Sequence, residues 1–301
     1  NTSLYRQAGN SIVVPVLEAI YKKLFLHKEW KNITNKERII QLFYANVKGR
    51  RPDTTGSNIH HDGREGHWLE RQFGISANAS NEADLFGYEL KKETTSKTTF
   101  GDWSANRYIF KTGEYVHCFD GNTASDRQDS FCRIFGKPNP LKGGRYSWSG
   151  SPCPTIHGYN NFGQVLIIDN NKDIIAIYSY SQDKRINKSQ VVPVELRQDN
   201  LEIARWFGEY SPTSKRTDKC LKAKLEDKFN HEGWFTCKKG LDGTYQKICF
   251  GEPINYDNWL NLVKKGIVFF DSGMYQGNKR PYSQWRANNS FWDSLIVECY
   301  E

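Results

Sequence analysis

The stretch EADLFGYELKKET constrains this chain more than any other, because it sets Asp84, Glu89 and Lys91 in the pattern D-x4-E-x-K. Side chains alternate across a strand, so Glu89 and Lys91 project to one face and Leu90 points to the core on the other. Asp84 precedes an expected turn at Phe86-Gly87, which can bring its carboxylate back toward Glu89. Two carboxylates and a lysine at the end of a short strand suit a hard divalent cation. Mg2+ takes a few carboxylate oxygens, keeps several waters and accepts phosphate oxygens in its remaining positions. Such a cation polarises a phosphate and lowers the pKa of a bound water. Lys91 is placed to hold the attacking water or to stabilise developing negative charge.

Charge and composition narrow the partner. Lysine and arginine number 42 against 34 acidic residues, for a net charge of +8. The excess favours a polyanion, nucleic acid first. Aromatic residues are 14% of the chain, with nine tryptophans and sixteen tyrosines, most of them expected in the core. No apolar run approaches the length of about 18 residues that a membrane helix needs; the best, from Ser11 to Ile20, contains Pro15 and Glu18. No G-x-x-x-x-G-K-[ST] loop or G-x-G-x-x-G turn occurs, which argues against nucleotide-driven chemistry. No RNA-binding signature is present. The seven cysteines are odd in number and none forms C-x2-C, so free, mostly buried thiols in a reducing cytoplasm are expected. His117, Cys118, Cys132, Cys153 and His157 are residue types zinc accepts, but their spacings match no finger pattern.

Hydrophobic periodicity predicts helices over VLEAIYKKLFLH and Asn35 to Asn46, the latter with Ile39, Ile40, Leu42 and Phe43 on one side. Lys48 to Arg64 reads as a polar loop, and residues 64 to 74 as a short helix stopped by Gly74. Strands are expected at the Glu89–Lys91 segment, in RYIFK and YVHCF between residues 106 and 135, and at Gly266 to Asp271. QVLIID and IIAIYSY read as a hairpin around Asn170 to Asp173. Residues 194 to 237 read as a mixture of helix and loop. The sum is an α/β (α+β) chain with a mixed β-sheet flanked by helices.

The segment GREGHWLERQFGISANASNEADLFGYELKKET resembles the signature of PD-(D/E)XK endonucleases of the MutH type. There a helix carrying a glutamate precedes a D-x(n)-E-x-K strand; the matching positions here are Gly66, Glu70, Asp84, Glu89 and Lys91. The D-x4-E spacing, chain length and C-terminal layout are closer to the MvaI/BcnI branch, over roughly residues 36 to 300. The resemblance implies Mg2+ held by Asp84, Glu89 and the backbone carbonyl of Leu90, with Lys91 activating water and Glu70 as an accessory carboxylate. It implies a type II endonuclease that cuts double-stranded DNA at a short C/G-containing site and acts as a monomer in the cytoplasm. A MutH-like repair nickase and a DNA-binding module with a decayed site are the alternatives.

A second resemblance lies in SLYRQAGNSIVVPVLEAIYKKLF, which is similar to the last conserved motif of cytosine-5 DNA methyltransferases through Arg6, Gln7, Gly9, Asn10, Ser11 and Pro15. With Asn1 rather than Met at its start, the chain reads as the C-terminal part of a methyltransferase–endonuclease fusion, or as an endonuclease retaining a methyltransferase remnant. A cytosine-5 methyltransferase in the same polypeptide or operon is the implied partner. The expected division is residues 1–26 as that remnant and 36–301 as the endonuclease, its catalytic part about 60–185 and its DNA-reading part about 186–301.

For base reading, the stretch FFDSGMYQGNKRPYSQWRANNSFW has suitable chemistry. Arginine pairs with guanine O6 and N7, and asparagine or glutamine with adenine. Tyr275, Gln276, Lys279, Arg280, Arg286 and Asn288 are the candidates, with Arg280 and Arg286 expected to read guanines. The MvaI/BcnI region is histidine-rich and this one is not, which leaves the recognised sequence open. Lys97, Arg107, Arg145 and Lys184 are expected phosphate contacts, which position a protein without specifying sequence.

Overall fold

A computed structural model describes residues 33–55, 63–76, 81–92, 94–212 and 219–301. The expected first helix and the methyltransferase-like segment lie outside these residues. Among the described residues the chain forms seven α-helices: α1 Asn35–Asn46, α2 Arg64–Gln72, α3 Ala124–Phe135, α4 Lys188–Val191, α5 Leu221–Phe229, α6 Tyr256–Lys264 and α7 Asn289–Ser294. The strands are β1 Tyr88–Leu90, β2 Lys97–Asp102, β3 Arg107–Tyr108, β4 Lys137–Asn139, β5 Arg145–Trp148, β6 Phe162–Ile168 and β7 Ile174–Asp183. They continue with β8 Leu201–Trp206, β9 Gly233–Lys239, β10 Tyr245–Gly251, β11 Phe269–Ser272, β12 Met274–Tyr275, β13 Ser283–Asn288 and β14 Ile296–Tyr300. No helix among the described residues is long and apolar enough to cross a membrane.

Local chemistry explains the helix starts. Thr34 and Glu37 form a reciprocal capping box at α1, and Thr123 and Asp126 another at α3; each satisfies backbone donors that a helix start leaves open. On α1, Ile39 and Phe43 sit one turn apart and are buried. Beyond α2 the chain turns at Gly74 with φ +74°, the left-handed conformation that glycine adopts freely.

The strands form four small sheets, ordered β1-β9-β10-β14, β11-β13-β2, β12-β5-β4 and β3-β8-β7-β6. The first draws three of its four strands from residues 233–300, although β1 lies far earlier in the chain. β1 is parallel to β9, with Glu89 opposite Trp234 and Leu90 opposite Phe235. α1 and α2 cover one face of this sheet. There Ile39, Phe43, Trp68, Leu69 and Phe73 pack with Leu90, Phe235, Ile248 and Phe250. A larger cluster fills the rest of the molecule and holds most of the tryptophans, among them Trp148, Trp206, Trp259 and Trp285. Trp206 and Trp259 both meet Trp285 edge to face, with ring centres 5.6 and 5.4 Å apart. Each such side chain adds about 1.5–3 kcal/mol of burial, so the aromatic content serves the core.

Several expectations hold. α1 has the predicted bounds, and β6 and β7 pair as the predicted hairpin with Ile168 opposite Ile174. Others are corrected. YVHCF is a 3-10 helix, Glu114–Cys118, rather than a strand; its apolar and β-branched composition outweighed its short local turn. RYIFK contributes a strand only at Arg107–Tyr108. Residues 194–237 contain β8 and the inner strand β9, whose first five residues are all buried and so lack the alternation that marks a half-exposed strand. The last predicted strand starts at Phe269, not Gly266, where φ of +69° makes a turn. The cysteines are not all free. Cys249 and Cys299 stand opposite each other on the antiparallel strands β10 and β14, Cα atoms 4.1 Å apart, and form a disulfide. Five cysteines remain free; Cys132 and Cys153 are buried, and burial pushes both thiols up to about 12.

Candidate active site

Asp84, Glu89 and Lys91 converge where the sheet edge meets α5. The geometry begins with the turn. Phe86 and Gly87 both have positive φ, +50° and +84°, and Leu85 and Tyr88 bond across them in an antiparallel bridge. With φ of +84°, Gly87 holds a conformation that glycine adopts freely, and a Cβ there would lie 2.9 Å from Glu232 Cγ, so that side chain would have to shift. The turn folds Asp84 back along β1, where its Oδ2 accepts the N–H of Leu90, the last residue of the strand, at 3.0 Å. The N–H and C=O of one residue lie on the same edge of a strand. The opposite edge pairs with β9, to which Lys91 N–H donates through Phe235 O at 2.8 Å. The Leu90 carbonyl therefore projects to the Asp84 edge.

Glu89 and Lys91 share the face opposite Leu90, as alternation demands. Both are nearly fully buried, at 2% and 8% exposure. Lys91 Nζ lies 2.8 Å from Glu89 Oε1. It also approaches Phe100 O at 3.4 Å and sits over the Phe229 ring, 4.9 Å from its centre. A second lysine, Lys228 of α5, donates to the same Oε1 at 2.7 Å. Glu89 Oε2 is buried and has no hydrogen-bond partner. Sequence reading missed Lys228, which lies 139 residues from Glu89 along the chain. α5 is fastened to the turn segment by Asn81 Nδ2 donating to Lys224 O and by Ala83 N–H donating to Asp227 O.

Electrostatics set the two carboxylates apart. Burial, reinforced by the Glu89 charge, pushes the Asp84 carboxyl up to about 6. Burial opposes ionisation of Glu89 too, but Lys91 and Lys228 outweigh it and hold that carboxyl below the usual range. Burial brings the Lys91 ammonium below lysine's ordinary value, and Lys228 adds to the effect, against the pull of Glu89. An unpaired buried acceptor beside a carboxylate reluctant to ionise is a place where one more donor or cation is accommodated. The donor set is all oxygen: Asp84, Glu89 Oε2 and the Leu90 carbonyl. That suits a hard cation such as Mg2+.

Glu70 stands apart. It is half-buried on α2, in the wall of a cavity of about 390 Å3 with His67 and Arg71. Among the described residues no group of three histidine, cysteine or acidic side chains is able to hold a metal, so no third carboxylate joins Asp84 and Glu89.

The expected DNA-reading residues fall into distinct settings. Arg286 of β13 and Lys97 of β2 share one acceptor: Asp271 Oδ2 lies 3.2 Å from Arg286 Nη1 and 2.5 Å from Lys97 Nζ. Arg286 Nε is buried without a partner. Both residues line a cleft of about 660 Å3 with Arg64, Lys92 and Ser96, and Lys92 directly follows Lys91. Arg280 pairs with Asp102 at 2.7 Å and lies over Tyr282. Lys279 and Asn288 are exposed. Gln276 Oε1 accepts Tyr146 N–H at 2.7 Å, which ties β12 to β5. Tyr275 lies flat beneath the Arg145 guanidinium, 3.4 Å from ring centre to Cζ. Lys184 is exposed at the end of the hairpin. Arg107 lies on β3, over Phe207, in a cavity of about 550 Å3 that also holds Asp173, Glu202 and Glu209. Arg205 lines the same cavity and pairs with Asp173 and Glu202, while Glu209 pairs with Lys172 and Lys222.

The family model for LlaMI restriction endonuclease matches residues 47–300. The chain belongs to that family. It is 62% identical over 268 residues to "Type II restriction enzyme ScrFI" from Lactococcus lactis subsp. cremoris, a match covering 89% of this chain and 99% of that enzyme. The chain is thus a type II restriction endonuclease, a site-specific deoxyribonuclease. A stretch of 25 residues is 76% identical to "Type II methyltransferase M2.ScrFI" of the same organism, covering 8% of this chain and 7% of that methyltransferase. Among solved structures, restriction endonuclease MvaI in complex with its cognate DNA superposes with a TM-score of 0.52 at 11% identity, over 88% of this chain and 95% of that one. At that identity the likeness is one of fold. It bears out the MvaI-like architecture expected from the catalytic motif.

Proposed function

We propose that this endonuclease hydrolyses double-stranded DNA with Mg2+ held by Asp84, Glu89 Oε2 and the Leu90 carbonyl. The observation that carries the reading is Glu89 Oε2, a buried acceptor with no partner beside a second carboxylate. When bound, the cation supplies Lewis acidity toward the scissile phosphate and lowers the pKa of a water. The chain's own groups do the remainder. Asp84 is fixed by the Leu90 N–H, so its free oxygen keeps a constant direction. Lys91, anchored on Glu89 and Phe229, holds the attacking water and faces the negative charge that grows on the phosphate. The products are a 5′-phosphate and a 3′-hydroxyl. Glu70 is the accessory carboxylate and is left outside the metal set.

In this reading the duplex backbone follows the cleft of Arg64, Lys92, Lys97 and Arg286, which opens beside the catalytic strand. Arg286 and Arg280 read guanines, with Tyr275, Gln276, Lys279 and Asn288 around them; their present partners Asp271 and Asp102 hold the guanidiniums in place until DNA arrives. Arg107, on β3, is a further phosphate contact. Residues 36–301 make up the endonuclease, which acts as a monomer on a short C/G-containing site. Residues 1–26 are a methyltransferase remnant, and a cytosine-5 methyltransferase protects host DNA. The cytoplasm is the compartment this function implies.

The test is cleavage of unmethylated plasmid DNA with Mg2+, beside EDTA and the Asp84→Ala variant. Discrete fragments from the wild type with Mg2+ alone are expected, and sequencing their ends gives the site. Cutting that persists in EDTA or in Asp84→Ala would remove the metal site from this corner.

A further inference from the structure

We propose that Lys228 is a positioning residue of the catalytic corner, holding Glu89 by Oε1 so that Oε2 alone is offered to a divalent cation. The inference rests on the reading that Asp84 and Glu89 bind that cation. Lys228 Nζ lies 2.7 Å and Lys91 Nζ 2.8 Å from the same Oε1, while Oε2 is buried and unpaired. One oxygen thus carries two ammonium groups and the other none, an asymmetry that a carboxylate with a purely structural task does not need. The next residue extends the arrangement. Phe229 places its ring under Lys91, so two consecutive residues of the last turn of α5 set the two reactive partners of β1. α5 cannot drift from the strand, because Asn81 and Ala83 bond its carbonyls. The Lys228 side chain is itself only 17% exposed.

Charge balance gives the role a measurable consequence. Asp84 and Glu89 oppose Lys91 and Lys228, two charges against two. Without Lys228 the corner gains net negative charge and Oε1 is released from one of its two donors. Glu89 is then free to turn both oxygens to a cation, which binds more tightly, while Lys91 loses the fixed carboxylate against which it is aligned. Metal affinity and cleavage rate move in opposite directions.

The experiment uses the full chain with Lys228→Met, Lys228→Arg and Asp84→Asn. Ca2+ binding is measured by calorimetry without DNA, and single-turnover cleavage is measured with Mg2+. Lys228→Met should bind Ca2+ about threefold or more tightly and cleave about tenfold or more slowly, the scale of losing a partner that orients a metal ligand. Lys228→Arg, which keeps charge and reach, should recover most of both changes. Should the methionine variant fail to fold, Lys228→Gln carries the same two readouts. Ca2+ affinity that is unchanged or weaker, or a rate at the wild-type value, overturns the assignment of Lys228. Asp84→Asn separates the two levels of inference: if it abolishes Ca2+ binding while Lys228→Met leaves binding unaltered, Lys228 alone is misassigned, whereas Ca2+ binding that survives Asp84→Asn overturns the metal site and the role of Lys228 with it.

Discussion

Two buried carboxylates in this molecule have nearly the same setting and opposite degrees of completion. Asp183, at the end of β7, is 3% exposed, and Glu89 is 2% exposed. Both carry basic partners, and both networks include an aromatic ring under a cation. Asp183 has both oxygens filled: Oδ1 accepts Arg185 N–H and Nε, and Oδ2 accepts Tyr178 OH and Arg185 Nη2 at 2.7 Å. Glu89 concentrates two lysines on one oxygen and leaves the other empty. A network that exists to hold the fold closes on itself. One that exists to take a ligand keeps an acceptor open, at a cost in stability that the surrounding packing must offset.

The largest effects should split cleanly between the two sites. Glu89→Gln is expected to lower single-turnover cleavage by about 10³-fold, the upper end for removing one electrostatic contact at a reacting centre, with the folded state kept. Asp183→Ala leaves the Arg185 guanidinium without its counter-charge and should cost about 3–5 kcal/mol of stability. Below its unfolding midpoint it should still cut. Urea denaturation and single-turnover cleavage of both variants measure the four quantities. A Glu89→Gln enzyme that cuts at the wild-type rate, or an Asp183→Ala enzyme that is stable and inactive, would erase the distinction.

Acid sharpens the same contrast. The Asp84 carboxyl is raised from 3.8 to about 6 by burial and the Glu89 charge. A carboxyl raised in the folded state contributes stability that is fully present below its unfolded value. That contribution is lost as pH rises through the folded one. In EDTA, the wild type should therefore lose stability relative to Asp84→Asn between about pH 4 and pH 6, and the variant should be the more stable at pH 8. Divalent cation should restore the wild type at pH 8 and fail to do so well below pH 6, where protons occupy its ligand. Thermal melts of both proteins across pH 4–8, with and without Ca2+, check this; parallel melting curves at every pH would mean that Asp84 is not strained by its setting.

How much of this was legible in the sequence follows from chain distance. Asp84, Glu89 and Lys91 are joined by a two-residue turn and a three-residue strand, so local rules of turn and alternation suffice to bring them together. Lys228 and Phe229 complete the site from across the fold, and no local pattern names a lysine near the end of a short helix as a partner of β1. β9 escaped for a related reason. It lies between β1 and β10, buried on both faces, and shows no alternation to read. α3 did offer a signal, the Thr123–Asp126 capping box, which the strand-like composition around it obscured. The Cys249–Cys299 pair depends on the register of β10 with β14, and register belongs to the assembled sheet. Among the arginines, residue type suggested DNA contact, but only the fold places Arg286 in a cleft with Arg64, Lys92 and Lys97, and Arg107 in another with Arg205.

The smallest difference between the two networks lies in their aromatic rings. Arg185 lies over Phe162 at 5.1 Å, and Lys91 over Phe229 at 4.9 Å. A cation over a ring contributes about 0.5–2 kcal/mol, more where water is excluded. Leucine keeps apolar bulk at either position and removes the ring face. Phe162→Leu should cost stability alone, since Arg185 retains both Asp183 oxygens and Ile134 O. Phe229→Leu should lose a similar amount of stability, because the ring also meets Phe100 and Trp292. It should in addition slow cleavage by about three- to tenfold, because the ring fixes the side on which Lys91 rests. Single-turnover rates well below both unfolding midpoints isolate the second effect. Equal rates for the two variants would make Phe229 ordinary core, and a Phe229→Leu loss as large as that of Glu89→Gln would mean that the ring shapes the site itself rather than supporting one lysine within it.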